Sequence, residues 1–486
     1  MDDHAWKEFR QALTDAVDDT ERKRLLREYE PLTKERLDLG RHAGVLPRAG
    51  EPVYRWVRYK EAYSPQLVRD VLDELLPGHR DPGDGVVYDP MVGSGTSLLV
   101  AAERGLPALG GDLLPYAAFV SSTMVRWREA DPVRLLRTGE DALSTCGSFL
   151  DDPRLDVPAA SWAFSPAVAG ALTGLLSVLA EAPGGIERDL VRLAVLSAVE
   201  QVSYAVKDGT SLRRRLPGGP ARPGRPGQQR EEMGVADVVA SVRRRIGIIA
   251  ADLEDALSAS KGAPGSGAGL RGTEAGFAAR ALMVPAGARS PAAVVRADAR
   301  RWRPARESCS AVVFSPPYPN RYDYSAIYQL ELALGRFVPD AAGLRRVRKQ
   351  LLRSHLEAPP REEYTLKLPA LREFLSAVNG SRATGDQSGR VLRMVAGFFE
   401  DMADVLARVA EAMRPGASAA VVIATQTYFG QHLPTDLLLA ELGRETGLEV
   451  RALWVVRSKG VASQQRGLSS SASRETVLVL RKPPAP

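Results

Sequence analysis

Cysteine and histidine are scarce in this chain of 486 residues, and long apolar runs are absent. It has two cysteines, Cys146 and Cys309, and five histidines. Such numbers argue against a disulfide-stapled scaffold and leave too few ligands for a structural zinc site, so we expect no bound metal. No apolar run reaches the 18 or so residues that a membrane-spanning helix needs, so we expect no such helix.

The amino terminus also lacks the pattern of a secretory signal. Residues 1–10 read MDDHAWKEFR, without the basic head and apolar stretch of a signal peptide. We therefore expect a cytoplasmic protein. Apolar residues make up 44% of the chain and charged residues 26%, which is typical of a folded globular protein.

Charge of one sign is only slightly in excess, with 65 Lys and Arg against 59 Asp and Glu and a net charge of +6. Such an excess indicates a phosphate-binding surface only where it is clustered. Residues 212–230 hold six arginines and no acidic residue. Their many prolines and glycines oppose regular structure, so we predict an exposed basic loop.

Composition and the spacing of apolar residues divide the chain into four parts. Residues 1–50 predict a helical arm, because Trp6, Phe9, Leu13 and Val17 recur at helical spacing. Residues 51–127 and 291–486 predict two parts of one α/β domain. Residues 128–290 predict a mostly helical insert, with a small-residue linker near its end.

Short β-branched runs predict the strands of an α/β sheet. They lie at 86–89, 292–298, 310–315, 418–425 and 477–482, with helical stretches between them. The runs at 448–456 and 476–482 have no crossover helix between them. We therefore predict an antiparallel pair at the end of the sheet.

The first segment with chemical content is a glycine-rich turn after the strand at 86–89. Asp89-Pro90 ends the strand, Gly93-Ser94-Gly95 forms a tight turn, and Thr96 begins a helix. A following short strand ends in Asp112, where a carboxylate is well placed to accept hydrogen bonds from ribose hydroxyls. The pattern lacks the third glycine of a dinucleotide site and the GKT or GKS of a triphosphate site. It favours an adenosyl ligand.

The second segment is Ser315-Pro316-Pro317-Tyr318, which follows the strand at 310–315. Two prolines end the strand in a stiff turn at the sheet edge where ligands bind. Ser315 Oγ and the Pro316 carbonyl can each accept a hydrogen bond from an exocyclic amino group, while Tyr318 stacks on a base. These four residues are the predicted catalytic segment.

Together the two segments resemble the S-adenosylmethionine-dependent DNA amino-methyltransferases, whose motifs read DPFxGSGT and (D/N/S)PP(Y/F). The resemblance covers roughly 54–127 and 290–482, including the segment 55–68, the strand motif 295–302 and the last strand 474–482. It implies a Rossmann-like seven-stranded sheet with an antiparallel terminal hairpin. It also implies S-adenosylmethionine as cofactor, held by Tyr59, Lys60, Ser64, Asp89, Pro90, Gly93, Ser94, Gly95, Thr96, Asp112 and Asp298.

Two positions depart from the family pattern. Met91 replaces the usual phenylalanine, a conservative apolar change. The stretch between Asp112 and Asp298 separates the predicted second and third strands, an unusual place for so large an insert. Cysteine chemistry of the C5-cytosine type is not indicated, because Cys309 is not in a Pro-Cys dipeptide.

The resemblance implies double-stranded DNA as substrate, with the target base flipped out of the duplex and no membrane association. Serine before the two prolines favours cytosine N4 over adenine N6 in a prokaryotic modification or defence system, with a restriction or defence partner. The predicted nucleic-acid contacts are Lys207, Arg213, Arg214, Arg215, Asn320, Arg321 and Tyr322. An RNA base methyltransferase and a non-catalytic nucleic-acid-binding protein remain as alternatives.

Overall fold

The computed structural model describes residues 20–40, 51–77, 85–146, 156–207, 211–214, 233–261, 291–361, 363–380, 386–459 and 473–485. Its strands are β1 Thr33–Glu35, β2 Val86–Asp89, β3 Ala108–Asp112, β4 Ala205–Val206, β5 Arg213–Arg214, β6 Ala292–Arg296, β7 Cys309–Phe314, β8 Met413–Ala424, β9 Gln426–Tyr428, β10 Gln431–Leu433, β11 Glu449–Lys459 and β12 Ser473–Arg481. Across these residues, no helix is both long and apolar enough to cross a membrane.

The α-helices of the described residues connect and cover these strands. They are α1 Thr20–Tyr29, α2 Leu37–Gly40, α3 Pro65–Leu75, α4 Thr96–Glu103, α5 Pro115–Val125, α6 Pro132–Ser144, α7 Ala160–Ala163, α8 Pro166–Glu181, α9 Ile186–Ala198, α10 Val235–Lys261, α11 Tyr324–Ile327, α12 Gln329–Leu334, α13 Ala341–Gln350, α14 Pro369–Asn379, α15 Asp386–Ala412 and α16 Thr435–Glu445. Several begin with a proline in the first turn, where its missing N–H costs nothing.

Eight strands form one sheet in the order β1-β11-β12-β8-β7-β2-β3-β6. Strand β12 runs antiparallel to β11 and β8, which confirms the predicted terminal pair. The other neighbours in the sheet run parallel. Strands β3 and β6 are adjacent, so the insert leaves the sheet after the second motif strand and returns to the next one.

The predicted count of seven strands is wrong by one. The additional strand, β1, pairs in parallel with β11, with Thr33 opposite Leu453. It comes from the segment that was predicted to be helical, which is therefore helical only in part: α1 and α2 flank β1. The three residues of β1 are polar, so they take strand structure from the ladder with β11 and not from apolar alternation. The apolar positions used to predict the arm, between 6 and 17, lie outside the described residues.

The two faces of the sheet pack against different helices. Val87 and Val313 point to the face that shares a buried cluster with the insert helices α6, α8, α9 and α10. Tyr88 and Val312 point to the other face, under α14, α15 and α16. Because both faces are covered, strand β7 is buried along its whole length. The insert therefore shares its core with the sheet.

Candidate active site

The glycine-rich turn leaves β2 and enters α4, as predicted. Gly93 and Gly95 have φ angles of 53° and 90°, in the left-handed region that side chains rarely adopt. A Cβ placed on Gly93 would lie 3.4 Å from the ring of Tyr59. The turn thus needs glycine for its backbone conformation, and it brings main chain close to the space beside Tyr59.

Asp112 closes this turn from the end of β3. Its Oδ2 accepts from the Gly93 amide at 3.0 Å and its Oδ1 from the Leu114 amide at 2.8 Å. Burial raises the pKa of Asp112 to about 6, although these amide donors oppose the shift. Each carboxylate oxygen keeps a second lone pair that a ligand hydroxyl can use.

Asp89, at the end of β2, holds the turn through hydrogen bonds. It is fully buried, and it accepts from the Met91 amide at 2.9 Å, from Ser97 and from the Tyr63 hydroxyl at 3.2 Å. Burial raises its pKa to about 7, against the hydrogen bonds that lower it. Ser64 has a similar supporting part, because its Oγ caps α3 by accepting from the Leu67 amide at 3.2 Å.

The predicted cofactor segment before α3 forms an aromatic wall. The Tyr59 ring stacks on Tyr328 with centroids 5.0 Å apart and on Tyr324 at 6.4 Å. The Lys60 amide donates to the Tyr328 hydroxyl at 2.6 Å, and its ammonium lies 5.0 Å from the ring centre of Tyr322. These contacts bring residues 59–60 against the chain that follows the Ser315–Tyr318 segment.

The Ser315–Tyr318 segment leaves β7, the strand that pairs with β2. Since the two strands are parallel, both motifs meet at the same edge of the sheet, where the strand order reverses. Ser315 Oγ donates its hydrogen to the Val422 carbonyl at 3.1 Å. A hydroxyl used in this way offers only lone pairs to a ligand. The Tyr318 hydroxyl donates to Glu475 at 3.2 Å.

The turn after Tyr318 is tightly folded. Arg321 has a φ of 74°, its amide donates to the Ser354 carbonyl at 3.2 Å, and its guanidinium lies 5.2 Å from the ring centre of Tyr428. Asn320 Oδ1 accepts from the Tyr322 amide at 3.3 Å. A non-glycine residue in this conformation costs on the order of 1–2 kcal/mol, a kind of strain that clusters at functional sites.

One cavity joins the two motifs. The predicted residues that line it are Tyr59, Lys60, Pro90, Gly93, Ser94, Thr96, Asp112, Ser315, Pro317 and Tyr322. The predicted residues that do not line it are Ser64, Asp89, Gly95, Asp298, Pro316, Tyr318, Asn320 and Arg321. Lining residues that lie outside every segment indicated by the sequence include Leu351, Leu352, Ser354 and His355.

Asp298 does not line the cavity, but the residues on either side of it do. Its carboxylate is paired with the Arg300 guanidinium at 2.8 Å, and Ala297 and Ala299 on either side line the cavity. Burial alone would raise the pKa of Asp298, but Arg300 holds it below its ordinary value. The predicted strand motif is thus at the cavity, with its small residues facing the ligand space.

The residues predicted to contact nucleic acid fall in different places. Arg213 and Arg214 are exposed and form strand β5, which pairs with β4 in a small hairpin. The ammonium of Lys207 pairs with the buried carboxylate of Glu331, so its charge is not presented to a phosphate. Arg215 and most of the arginine-rich segment 212–230 lie outside the described residues.

Comparison with known proteins finds relatives of one kind. The chain is 25% identical over 458 residues to the type II methyltransferase M.AvaI of Nostoc sp. and, equally, to that of Anabaena variabilis, covering 89% of this chain and 87% of the relative. It is 24% identical over 487 residues to the type II methyltransferase M.BsoBI of Geobacillus stearothermophilus, covering 89% and 86%.

Other comparisons add less. No family model matches the chain. Among solved structures, the rRNA methyltransferase aviRa from Streptomyces viridochromogenes aligns over 92% of this chain and 94% of its own, with 11% identity and a TM-score of 0.27. At that score the alignment supports no conclusion about fold or substrate.

Proposed function

We propose that this chain is a DNA methyltransferase that uses S-adenosylmethionine to methylate an exocyclic amine, cytosine N4 in preference to adenine N6. The observation that carries the proposal is the single cavity that Asp112 and Ser315 share at one edge of the sheet. The similarity to type II methyltransferases over 89% of the chain supports the same class of reaction.

The cavity suits this cofactor in shape and polarity. Asp112 offers carboxylate lone pairs to ribose hydroxyls, and Gly93 allows the main chain to approach closely. Leu114 and Ala297 present an apolar surface suited to an adenine ring. When bound, the cofactor supplies a sulfonium-activated methyl group, which the amine nitrogen of a base takes up as it loses one proton.

Ser315 selects the amine. Because the Val422 carbonyl takes its hydrogen, Oγ can only accept, and an exocyclic NH2 group is the matching donor. A base with a carbonyl at this position would bring oxygen lone pairs against oxygen lone pairs. The hydroxyl would thus orient the amine while rejecting thymine and uracil.

The base must leave the duplex to reach this cavity, so we assign the enzyme a base-flipping step. Tyr318 supplies a ring beside Ser315, and its hydrogen bond to Glu475 restricts the orientation of that ring. Stacking on Tyr318 offsets part of the cost of unstacking, which is a few kcal/mol. We assign phosphate contacts to the exposed Arg213 and Arg214 and a role in a prokaryotic modification or defence system.

Isotope transfer followed by nucleoside analysis tests the proposal. Purified protein is incubated with labelled S-adenosylmethionine and unmethylated duplex DNA, and the digest is resolved by mass spectrometry. We expect N4-methylcytosine, and transfer about five- to 150-fold slower with Ser315→Ala, because losing such a polar contact costs about 1–3 kcal/mol. Affinity for S-adenosylhomocysteine should be unchanged in that variant.

Ser310→Ala is the matched control. Ser310 lies at the other end of the same strand, its Oγ 3.4 Å from the Val86 carbonyl, and it does not line the cavity. It should retain the rate of the unmodified protein. Label in adenine would overturn the cytosine preference, label only in a parallel tube of structured RNA would overturn the DNA assignment, and label in neither would overturn the enzymatic one.

A further inference from the structure

His355 is a buried histidine on the wall of the cavity. Its side chain is 1% exposed, and it lines the same cavity as Ser315. Neither Nδ1 nor Nε2 makes a hydrogen bond within the described residues. Leaving a buried polar atom unsatisfied costs on the order of 1–3 kcal/mol, so a group that enters the cavity is the natural partner for this ring.

The segment that carries His355 is firmly held. Asp401, fully buried, accepts from the Arg353 amide at 3.0 Å, from the Arg353 guanidinium at 2.7 Å and from Arg361 at 3.0 Å. The same carboxylate also takes a hydrogen bond from Arg300 at 3.1 Å. Two of these four charge-assisted bonds come from Arg353, just before His355, and one comes from Arg361, six residues after it, so the chain is held on both sides of His355. The unpaired ring therefore belongs to a segment that is held by hydrogen bonds, and it is not a consequence of a loosely held loop.

The connections of this segment place His355 beside the catalytic turn. Arg300 donates to the Gln350 carbonyl at 2.6 Å, which puts the start of the segment near Asp298. Arg321 donates to the Ser354 carbonyl, which puts its end beside the turn after Tyr318. Going from Gln350 to His355, the chain thus passes from the side of the proposed adenine site to the side of the proposed target base.

The protonation state of the ring also favours a base over the charged end of the cofactor. Burial lowers the pKa of His355; Asp323, the main chain of Arg348 and Glu357 oppose that shift, and the charge of the Arg348 guanidinium reinforces it. A neutral imidazole has one donor and one acceptor. Nucleobase edges offer the same pairing of donor and acceptor, whereas a carboxylate would favour the protonated ring.

We propose that His355 contacts the target base, hydrogen-bonding its edge while Ser315 accepts from its amine. This inference rests on the proposed function, and it adds a residue that no recognised motif contains. His355 then acts in base selection and positioning, from a segment far from both motifs in the sequence.

Three variants of His355 test the assignment. His355→Phe keeps the aromatic bulk and removes both polar atoms, while His355→Asn and His355→Gln keep a polar group near the position of Nδ1 or Nε2. We expect His355→Phe to lower kcat/KM for DNA at least tenfold and to leave the Kd for S-adenosylhomocysteine within twofold. One of the two amide variants should recover a measurable part of the loss, which identifies the nitrogen that makes the contact.

His432→Gln is the control. Nδ1 of His432 also lacks a partner within the described residues, but His432 does not line the cavity, so kcat/KM should stay within twofold. Unchanged kcat/KM in His355→Phe would overturn the assignment, as would a loss confined to cofactor affinity. Failure of the unmodified protein to methylate DNA would instead overturn the proposed function, so the two failures are distinct. Thermal unfolding with bound S-adenosylhomocysteine shows whether each variant is folded.

Discussion

The carboxyl edge of the sheet and the helical insert use their polar side chains in opposite ways. At the sheet edge, Asp112 and Ser315 keep lone pairs directed at a cavity. In the insert, the Asp252 carboxylate and the Lys207 ammonium bind other parts of the protein. Recognised motifs therefore mark where chemistry is proposed, while the insert, which carries none of them, supplies the contacts that support that chemistry.

Asp252 shows how direct this support is. It lies on α10 with no exposed side-chain surface, and it accepts from the Val53 amide at 3.2 Å, from the Trp56 indole at 2.6 Å and from Arg55. These three donors immediately precede Tyr59. One insert carboxylate therefore fixes the segment that forms the aromatic wall of the cavity.

Among the variants that test whether the insert supports the sheet, Lys207→Met should have the largest effect. It leaves Glu331, 1% exposed, as an unpaired buried carboxylate near Tyr116 and Tyr328. Removing one partner of such a pair costs about 3–5 kcal/mol, so the free energy of unfolding should fall by that amount in urea titrations. The double variant Lys207→Met/Glu331→Gln should recover most of it. If the single variant unfolds like the unmodified chain, the insert does not support the sheet.

An intermediate effect is expected from Asp252→Asn. An amide cannot accept from all three donors, and an unsatisfied buried group costs about 1–3 kcal/mol of unfolding free energy. Loosening of residues 53–56 should also raise the Kd for S-adenosylhomocysteine severalfold in calorimetry. Asp255→Asn, on an exposed position of the same helix, is the control and should change neither quantity. A loss of stability with unchanged Kd would restrict the insert to a core-packing role.

The smallest effect concerns the sheet edge. It is the pH dependence of the affinity for S-adenosylhomocysteine. Asp112 has a pKa raised to about 6 by burial, and the proposed ribose contact needs its ionised form. Protonation below that pH removes an acceptor, so affinity falls as pH falls. One unit below the pKa, the Kd for S-adenosylhomocysteine should be about tenfold higher than at pH 7.5. Asp112→Asn should bind more weakly and show no such step, whereas an equal step in that variant would assign it to Asp89.

Much of the sheet was predictable because its inner strands are apolar and bounded by turn residues. The strands ending in Asp89 and Asp112 and the terminal antiparallel pair are confirmed. Strand β1 was not predictable, because three polar residues carry no periodicity and depend on β11 for their structure. Short edge strands of this kind are specified by their neighbour.

The candidate site was predictable where glycines and prolines restrict the backbone. The turn at Gly93 and the exit at Ser315 meet as expected, because β2 and β7 are parallel neighbours. His355 was not indicated, since its place depends on Asp401 binding the segment before it. Lys207 was assigned by charge alone, and charge does not reveal a buried partner such as Glu331.

The pairing of β1 with β11 joins segments that are far apart in the sequence, and this has a consequence for synthesis. Glu28 of α1 and Arg444 of α16 are bonded to each other although they are 416 residues apart. At about 5–20 residues per second, a ribosome needs about 20–80 s to add these 416 residues. Until then the residues of β1 lack the strand with which they pair. A nascent chain that stops before β11 cannot complete this edge of the sheet, so β1 can join the sheet only after residues 449–459 have been made.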